Sequence, residues 1–369
     1  MVLQKEQCRE EYRWLAALFA MTVVSMAVAI WTGVLIGLPT VDILFGYTGI
    51  LWVLIPPVVL IAMVPWGIRA LVFRVEKPWS EFKPMLTERF GTPGSMAGTL
   101  GPILMLPMLM GSFGCLKQIM PLIRPFSWDD RFAQLDRLIF FGVQPWQWTH
   151  AIFGSPRATM IVDRLYSGWV ALLFIAVLGV AMLAPRYLRA RFFLSFGLSW
   201  LVIGIAGAFA FSSAGPCYTQ AIGALAAADY APLMERLGAI HSSGTALNAV
   251  NWQEHLWEAH TSRQYGFAMG VSAMPSMHNA IAFLYVLAVR NASLPSRILA
   301  WTFALVILIG SVHLGWHYFV DGVLAWAAMA GLWWVAGAYL RRVGYEERVN
   351  KVEPAQIPDL EPAGVPAAA

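Results

Sequence analysis

Eight stretches of this sequence are apolar over the length a helix needs to cross a bilayer, about 20 residues. They are Trp14–Leu38, Ile43–Val64, Met96–Leu116, Tyr166–Leu183, Phe192–Ser212, Met277–Val289, Ile298–Ser311 and Phe319–Leu340. Such a chain is expected to be all-α: a polytopic membrane helical bundle of about eight transmembrane helices. Charged residues make up 12% and hydrophobic residues 59%, where a soluble domain is about 25% charged. That balance excludes a soluble enzyme, a disordered chain and a disulfide scaffold. The sixth and seventh stretches are short and reach full span length only by taking in polar residues at their outer ends. Polar residues at membrane depth are functional candidates. The first stretch is too long for a signal-peptide core and lacks a cleavage pattern, so it reads as a true span.

The net charge is +4 and the sequence pI about 9.0, but the basic residues alternate with the spans and give no nucleic-acid patch. Placing both termini in the cytoplasm puts most Lys and Arg inside, as the positive-inside rule requires. Ala184–Arg191 and Arg290–Arg297 then read as short basic inner loops. The expected location is the cytoplasmic (inner) membrane. The outer segments, about 117–165 and 213–276, are too long for simple turns. In the first, Phe132, Leu135 and Ile139 recur at helical spacing, which predicts an amphipathic helix lying in the interface. The organisation expected is 1–95 (two spans and an inner loop), 96–345 (six-helix catalytic domain) and 346–369, a Pro/Ala-rich tail without periodicity. Cys8, Cys115 and Cys217 match no metal spacing. Cys115 and Cys217 share a side and admit a bridge, though buried free thiols fit better.

Three polar constellations fall on the outer side. Lys117 and Arg124 stand seven apart at the exit of span three, near one helical face, and two cations there suit a phosphate; snorkelling side chains are the plain alternative. Ser276 is an N-cap residue opening span six. A helix N-terminus there would offer N–H groups to an anion, with His278 in the first turn. His317 and Asp321 are four apart, so on a helix they can touch. A carboxylate on one imidazole nitrogen leaves the other basic and aimed. Together these are the parts of a phosphoryl-transfer site without a metal cluster.

These residues resemble the type-2 phosphatidic acid phosphatase superfamily of lipid phosphatases and phosphotransferases. The pattern Lys-x6-Arg-Pro appears as Lys117…Arg124-Pro125, Pro-Ser-x-His as Pro275-Ser276-Met277-His278, and Gly-x-His-x3-Asp as Gly315-Trp316-His317…Asp321. The resemblance covers about 96–340 and implies a six-helix core. It implies that His317 is a nucleophile forming a phosphohistidine, Asp321 its orienting partner and His278 the general acid. Lys117, Arg124 and Ser276 would hold the phosphoryl oxygens. It implies no cofactor. The superfamily's Arg six residues before the nucleophile falls on Ser311; Arg263 and His313 are candidate substitutes. The missing Arg, the Pro125–Trp146 run and the Gly215-Pro-Cys-Tyr218 turn look like the inositol phosphorylceramide synthase branch. That implies a phospholipid or lipid phosphate donor, and a lipid alcohol such as ceramide, or water, as acceptor. Simple lipid phosphate or polyprenyl pyrophosphate hydrolysis is the alternative within the superfamily.

Other polar residues have plainer readings. His255, Glu258 and His260 do not follow the His-Glu-x-x-His zinc pattern and fit an interfacial or lid helix. His150 and His241 read as single interfacial histidines. Asp129, Asp130, Asp136 and Asp163 fit helix-start or salt-bridge roles better than polyol or cation binding. A proton-coupled transporter is the rival class, but the two-fold repeat common in transporters is not visible. A structural scaffold leaves the His317–Asp321 pair unexplained.

Overall fold

The computed structural model describes residues 2–49 and 78–345, with only positions 53, 56, 67 and 71 between them. Among these residues there is no strand, and six helical stretches are long and apolar enough to span a membrane. The chain is a multi-pass all-α membrane bundle.

The N-terminal helix α1 (Val2–Ile36) starts well before the apolar stretch it carries and is followed by helical residues 40–49 (α2). The rest of the second expected span lies outside the described residues, as does the tail after Tyr345. After α3 (Pro78–Phe90), the long helix α4 (Pro93–Ile123) is the most enclosed span. α7 (Pro156–Ser167) runs through Gly168 into α8 (Trp169–Leu183) as the fourth expected span. The fifth is α9 (Arg186–Ser199), a π-helical stretch Trp200–Gly207 and one last turn, α10 (Ala208–Ala210). α13 (Met277–Ala288) is short, α14 (Leu294–His313) and α15 (Phe319–Arg342) are full-length. Four further helices cover the end of the bundle where the histidines lie: α5 (Asp129–Ile139), α6 (Pro145–Phe153), α11 (Ala227–Ser242) and α12 (Asn248–Thr261).

α1 packs along α4 because α4 offers glycines there. A Cβ on Gly94 would stand 2.6 Å from the Cys8 Cα, and one on Gly101 would stand 3.0 Å from Leu15. Small residues that let backbones approach are the usual contact between helices in a bilayer, where apolar burial alone gives no preference for protein over lipid.

A charged cluster closes the opposite end. Glu11 is fully buried and accepts from Arg186 Nε at 2.8 Å, Arg189 at 2.8 Å, Trp14 Nε1 at 2.7 Å and the Tyr345 hydroxyl at 3.1 Å. Arg191 lies 4.5 Å over the Trp333 ring and donates to the Trp333 carbonyl at 3.1 Å. The segment Ala184–Arg191 is therefore not a loop. Pro185 ends the preceding turn and α9 begins at Arg186, so its arginines project from a helix into the neighbouring spans.

The expected amphipathic helix forms as α5: Leu135 and Ile139 are exposed, as on a helix lying in an interface, while Phe132 turns inward. The stripe facing the protein is Asp129, Phe132, Ala133 and Asp136, while Leu135, Leu138 and Ile139 are exposed. Beyond its end, Phe141 is 93% exposed, with φ 56°. The acids turn inward because backbone N–H groups await them there. Asp129, Asp130, Asp136 and Asp163 all act at segment starts, but at starts in other parts of the chain. Among the described residues none of the four forms a salt bridge. Asp130 accepts from Ala226 N at 2.8 Å before α11, and Asp163 accepts from Asn248 N and Ala249 N, both at 2.8 Å, at the start of α12. The first N–H groups of a helix have no partner inside it, and a carboxylate supplies one.

Candidate active site

α14 ends in a turn that throws the chain back toward α15. Gly315 has φ 74°, a conformation open to glycine without strain. It lets Trp316 N and His317 N both donate to the Ser311 carbonyl, at 2.9 and 3.1 Å. His317 thus sits between the two spans, and the contact with Asp321 is made across a helix start: Nδ1 lies 3.3 Å from Oδ2. The same Oδ2 accepts from Tyr318 N at 3.2 Å, so Asp321 caps α15 and faces His317 at once. Asp321 is fully buried and His317 is 7% exposed. Burial, and next the charge of Lys117, push the His317 imidazole down to about 3, against a smaller opposing effect of a backbone hydrogen bond with Ala273. The ring is neutral at physiological pH.

The second histidine comes from the start of α13. Ser276 is the N-cap, its hydroxyl accepting from Asn279 N at 3.3 Å and Asn279 Nδ2 at 3.1 Å. Asn279 Nδ2 also reaches the Ser311 hydroxyl at 3.3 Å. The position where an Arg was expected is therefore occupied by a buried neutral pair that ties α13 to α14. His278 lies with its ring centroid 6.0 Å from that of His317 and is walled by Tyr166 at 5.1 Å and Trp169 at 4.1 Å. The π-helical stretch positions this segment. A Cβ on Gly207 would stand 2.9 Å from Pro275, and Met277 Sδ lies against Gly204. Such stretches recur at functional sites.

Lys117, in the last turns of α4, is close enough for its charge to act on both histidines. Among the described residues no carboxylate lies within ion-pair distance of Lys117 or Arg124. The shared-face expectation fails for Arg124. Pro125 disfavours helical backbone in the residue before it, so α4 stops at Ile123 and Arg124 is extended (φ −133°) and exposed. The candidate substitutes lie elsewhere. His313 is buried with its ring nitrogens 3.1 Å from the Thr149 and Thr159 hydroxyls, stacked on His150 at 3.9 Å. Arg263 is exposed at a small, shallow cleft with Gln118, His260 and Tyr265. Cys115 and Cys217 are free thiols. Among the described residues no group of three or more His, Cys, Asp or Glu is placed to hold a metal ion.

Several site residues carry no motif. The Tyr166 hydroxyl, Trp169 Nε1, Asn279 Oδ1 and Asp321 Oδ1 are all buried without a hydrogen-bond partner. Buried polar atoms are nearly always paired, so this region has hydrogen-bonding capacity that a bound polar group would meet. The Gly215–Tyr218 turn packs on the loop that carries His317: Cys217 N donates to the Gly315 carbonyl at 2.9 Å, and a Cβ on Gly215 would meet the Trp316 carbonyl at 2.8 Å. The only sequence sign of this was an unusual Gly-Pro-Cys-Tyr run.

A membrane bundle with a His–Asp pair, a second histidine and an unpaired lysine is the arrangement of a lipid phosphatase or phosphotransferase. The chain belongs to the PAP2 superfamily, which it matches over residues 130–335, more than half its length. The matched range holds Ser276, His278, His317 and Asp321 and begins after Lys117 and Arg124. No curated protein and no solved structure matches the chain closely enough to be compared with it.

Proposed function

We propose that the protein cleaves a lipid phosphate ester through a phosphohistidine on His317 and passes the phosphoryl-bearing group to a lipid alcohol. The observation that carries this reading is the buried His317–Asp321 pair with His278 beside it. Asp321 accepts a hydrogen bond from Nδ1–H and so leaves the other ring nitrogen with its lone pair. That lone pair attacks phosphorus, and the bond from phosphorus to the leaving oxygen breaks. His278 gives its proton to that oxygen. In the second half an acceptor hydroxyl gives its proton to His278 while its oxygen attacks phosphorus, and the phosphorus–nitrogen bond breaks. Lys117, joined by the Ser276 N-terminus of α13, balances the charge on the phosphoryl oxygens. Such preorganised donors are a large part of enzymatic rate enhancement.

Transfer rather than hydrolysis is supported by the enclosure of the histidines among Tyr166, Trp169 and the neighbouring spans. Transfer of a phosphoinositol headgroup to ceramide is the particular reaction we propose, on the Gly215–Tyr218 turn and the Ser311 replacement. Incubation with a donor phospholipid labelled in its phosphate is expected to label the protein in an acid-labile form, lost in His317→Ala. Normal turnover by that variant would overturn the mechanism. Addition of ceramide is expected to move the label into a sphingolipid; release of the headgroup phosphate alone would make the enzyme a hydrolase.

A further inference from the structure

Asp129 and Asp136 lie two helical turns apart on α5, so they share one face. That face is turned into the protein, and both are buried, 2% and 1% exposed. Burying two carboxylates in a chain so poor in charge is costly unless each is bonded, and their partners converge on one place. Asp136 accepts from Phe319 N at 2.7 Å and Val320 N at 2.9 Å, the first two residues of α15. Asp129 accepts from the Tyr318 hydroxyl at 3.0 Å, and also from the Ser213 hydroxyl, Ala214 N and Gly215 N at 2.8–3.1 Å. Tyr318 to Val320 immediately follow His317. The turn at 213–215 is the one that leads into Cys217, which grips the Gly315 carbonyl on the other side of His317.

The start of α15 needs this help. Its N-cap residue is Tyr318, whose side chain is turned away to Asp129. Asp321 takes only the Tyr318 N–H. Without Asp136, two half-buried N–H groups next to His317 would lose their carboxylate acceptor.

We propose that Asp136, with Asp129 beside it, is a positioning residue for phosphoryl transfer: it holds the first turn of α15 and thereby sets the His317 imidazole against the Asp321 carboxylate. The inference rests on the reading of His317 as nucleophile, but its test does not. Asp136→Asn keeps the side chain's shape and one acceptor while presenting an N–H2 group to a backbone N–H. In full-length protein with 15N-labelled histidine, the ring resonances that disappear in His317→Asn identify His317. These are expected to shift in Asp136→Asn. The kcat is expected to fall by about tenfold to a hundredfold, with KM for the donor lipid held within about twofold, as for a displaced catalytic group. Asp163→Asn is the matched control, since Asp163 holds the first two N–H groups of α12 in the same way. It is expected to lower stability and leave the His317 resonances and kcat in place.

Unmoved His317 resonances in folded Asp136→Asn would overturn the proposal. So would an equal loss of kcat in Asp163→Asn, which would make the effect one of general stability. Should Asp136→Asn fail to fold, Tyr318→Phe removes only the Asp129 contact and is held to the same two outcomes. Shifted resonances together with normal turnover by His317→Asn would leave the positioning intact and refute the nucleophile.

Discussion

At one end of the bundle Glu11 meets Arg186, Arg189, Trp14 and Tyr345 side chain to side chain. At the other, Asp129, Asp130, Asp136 and Asp163 turn to backbone N–H groups and to hydroxyls. The basic end uses its acid to fasten one span to another. At the histidine end Asp229 pairs with Arg137, but these four acids go to helix starts and turns, and among the described residues Lys117 and Arg124 have no carboxylate partner. Opposite charges confined in an apolar setting pair wherever geometry allows. The separation at the histidine end therefore takes structure to maintain, and cations kept apart from the acids are what an anionic substrate requires.

The largest effect is expected at the basic end. Glu11→Ala leaves Arg189 buried without its carboxylate, and loss of one partner of a buried pair costs about 3–5 kcal/mol. Thermal unfolding in detergent should drop steeply, while each folded molecule turns over substrate normally. An unchanged unfolding temperature would break the contrast between the two ends. Lys117→Met tests the other end. Folding should survive, since no ion pair is lost, and turnover should fall by about 10²–10³-fold, the usual cost of removing one preorganised charge-stabilising group. Loss of stability instead would mean that Lys117 is structural.

Two smaller effects sharpen the comparison. Asp163→Asn should cost about 1–2 kcal/mol of stability, as capping losses do, with kcat unchanged. The last effect is confined to the pH dependence of stability. His317 is held down to about 3, chiefly by burial, so below the ordinary histidine value the unfolded chain takes up a proton that the folded chain refuses. This contribution to stability declines as pH falls from about 6.5 toward 3. Asp136 is pushed up to about 7, first by burial, opposed by the Phe319 and Val320 N–H groups, with Asp321 adding to the rise. Its folded form keeps a proton that the unfolded chain releases, so this contribution declines as pH rises from about 4 toward 7. The two contributions oppose each other between about pH 4 and 6.5, so the wild-type profile should run nearly level there. Asp136→Asn should unmask the loss of stability toward acid and His317→Asn the loss toward neutral pH; unfolding temperatures measured across pH check both, and level profiles in both variants would contradict these burials.

Much of the fold was legible because membrane spans are a matter of length and apolar content. Seven of the eight expected spans coincide with helices, the short sixth included; the remainder of the second lies outside the described residues. Helix starts marked by a side chain in the same segment were also legible, Ser276 above all. Arg124 was misplaced because a seven-residue spacing assumes a continuous helix, and Pro125 ends it. The inward turn of Phe132 with Asp129 and Asp136 was not legible because periodicity reports which residues are apolar, and in a membrane apolar residues face outward as readily as inward. The arginines of 186–191 were read as markers of topology alone, since Glu11 stands 175 or more residues away in sequence.

The sequence by itself determined the all-α membrane class, the order of the spans and the motif residues Ser276, His278, His317 and Asp321. Each depends on local composition or on a spacing within one segment. Only the tertiary structure decided which way Asp129 and Asp136 point, that Ser311 and Asn279 fill the place of an arginine, and that Tyr166 and Trp169 wall His278. The partners of those residues lie tens to nearly two hundred positions away. A carboxylate accepts from any N–H that reaches it, so its partner is chosen by packing, and packing is a property of the folded chain.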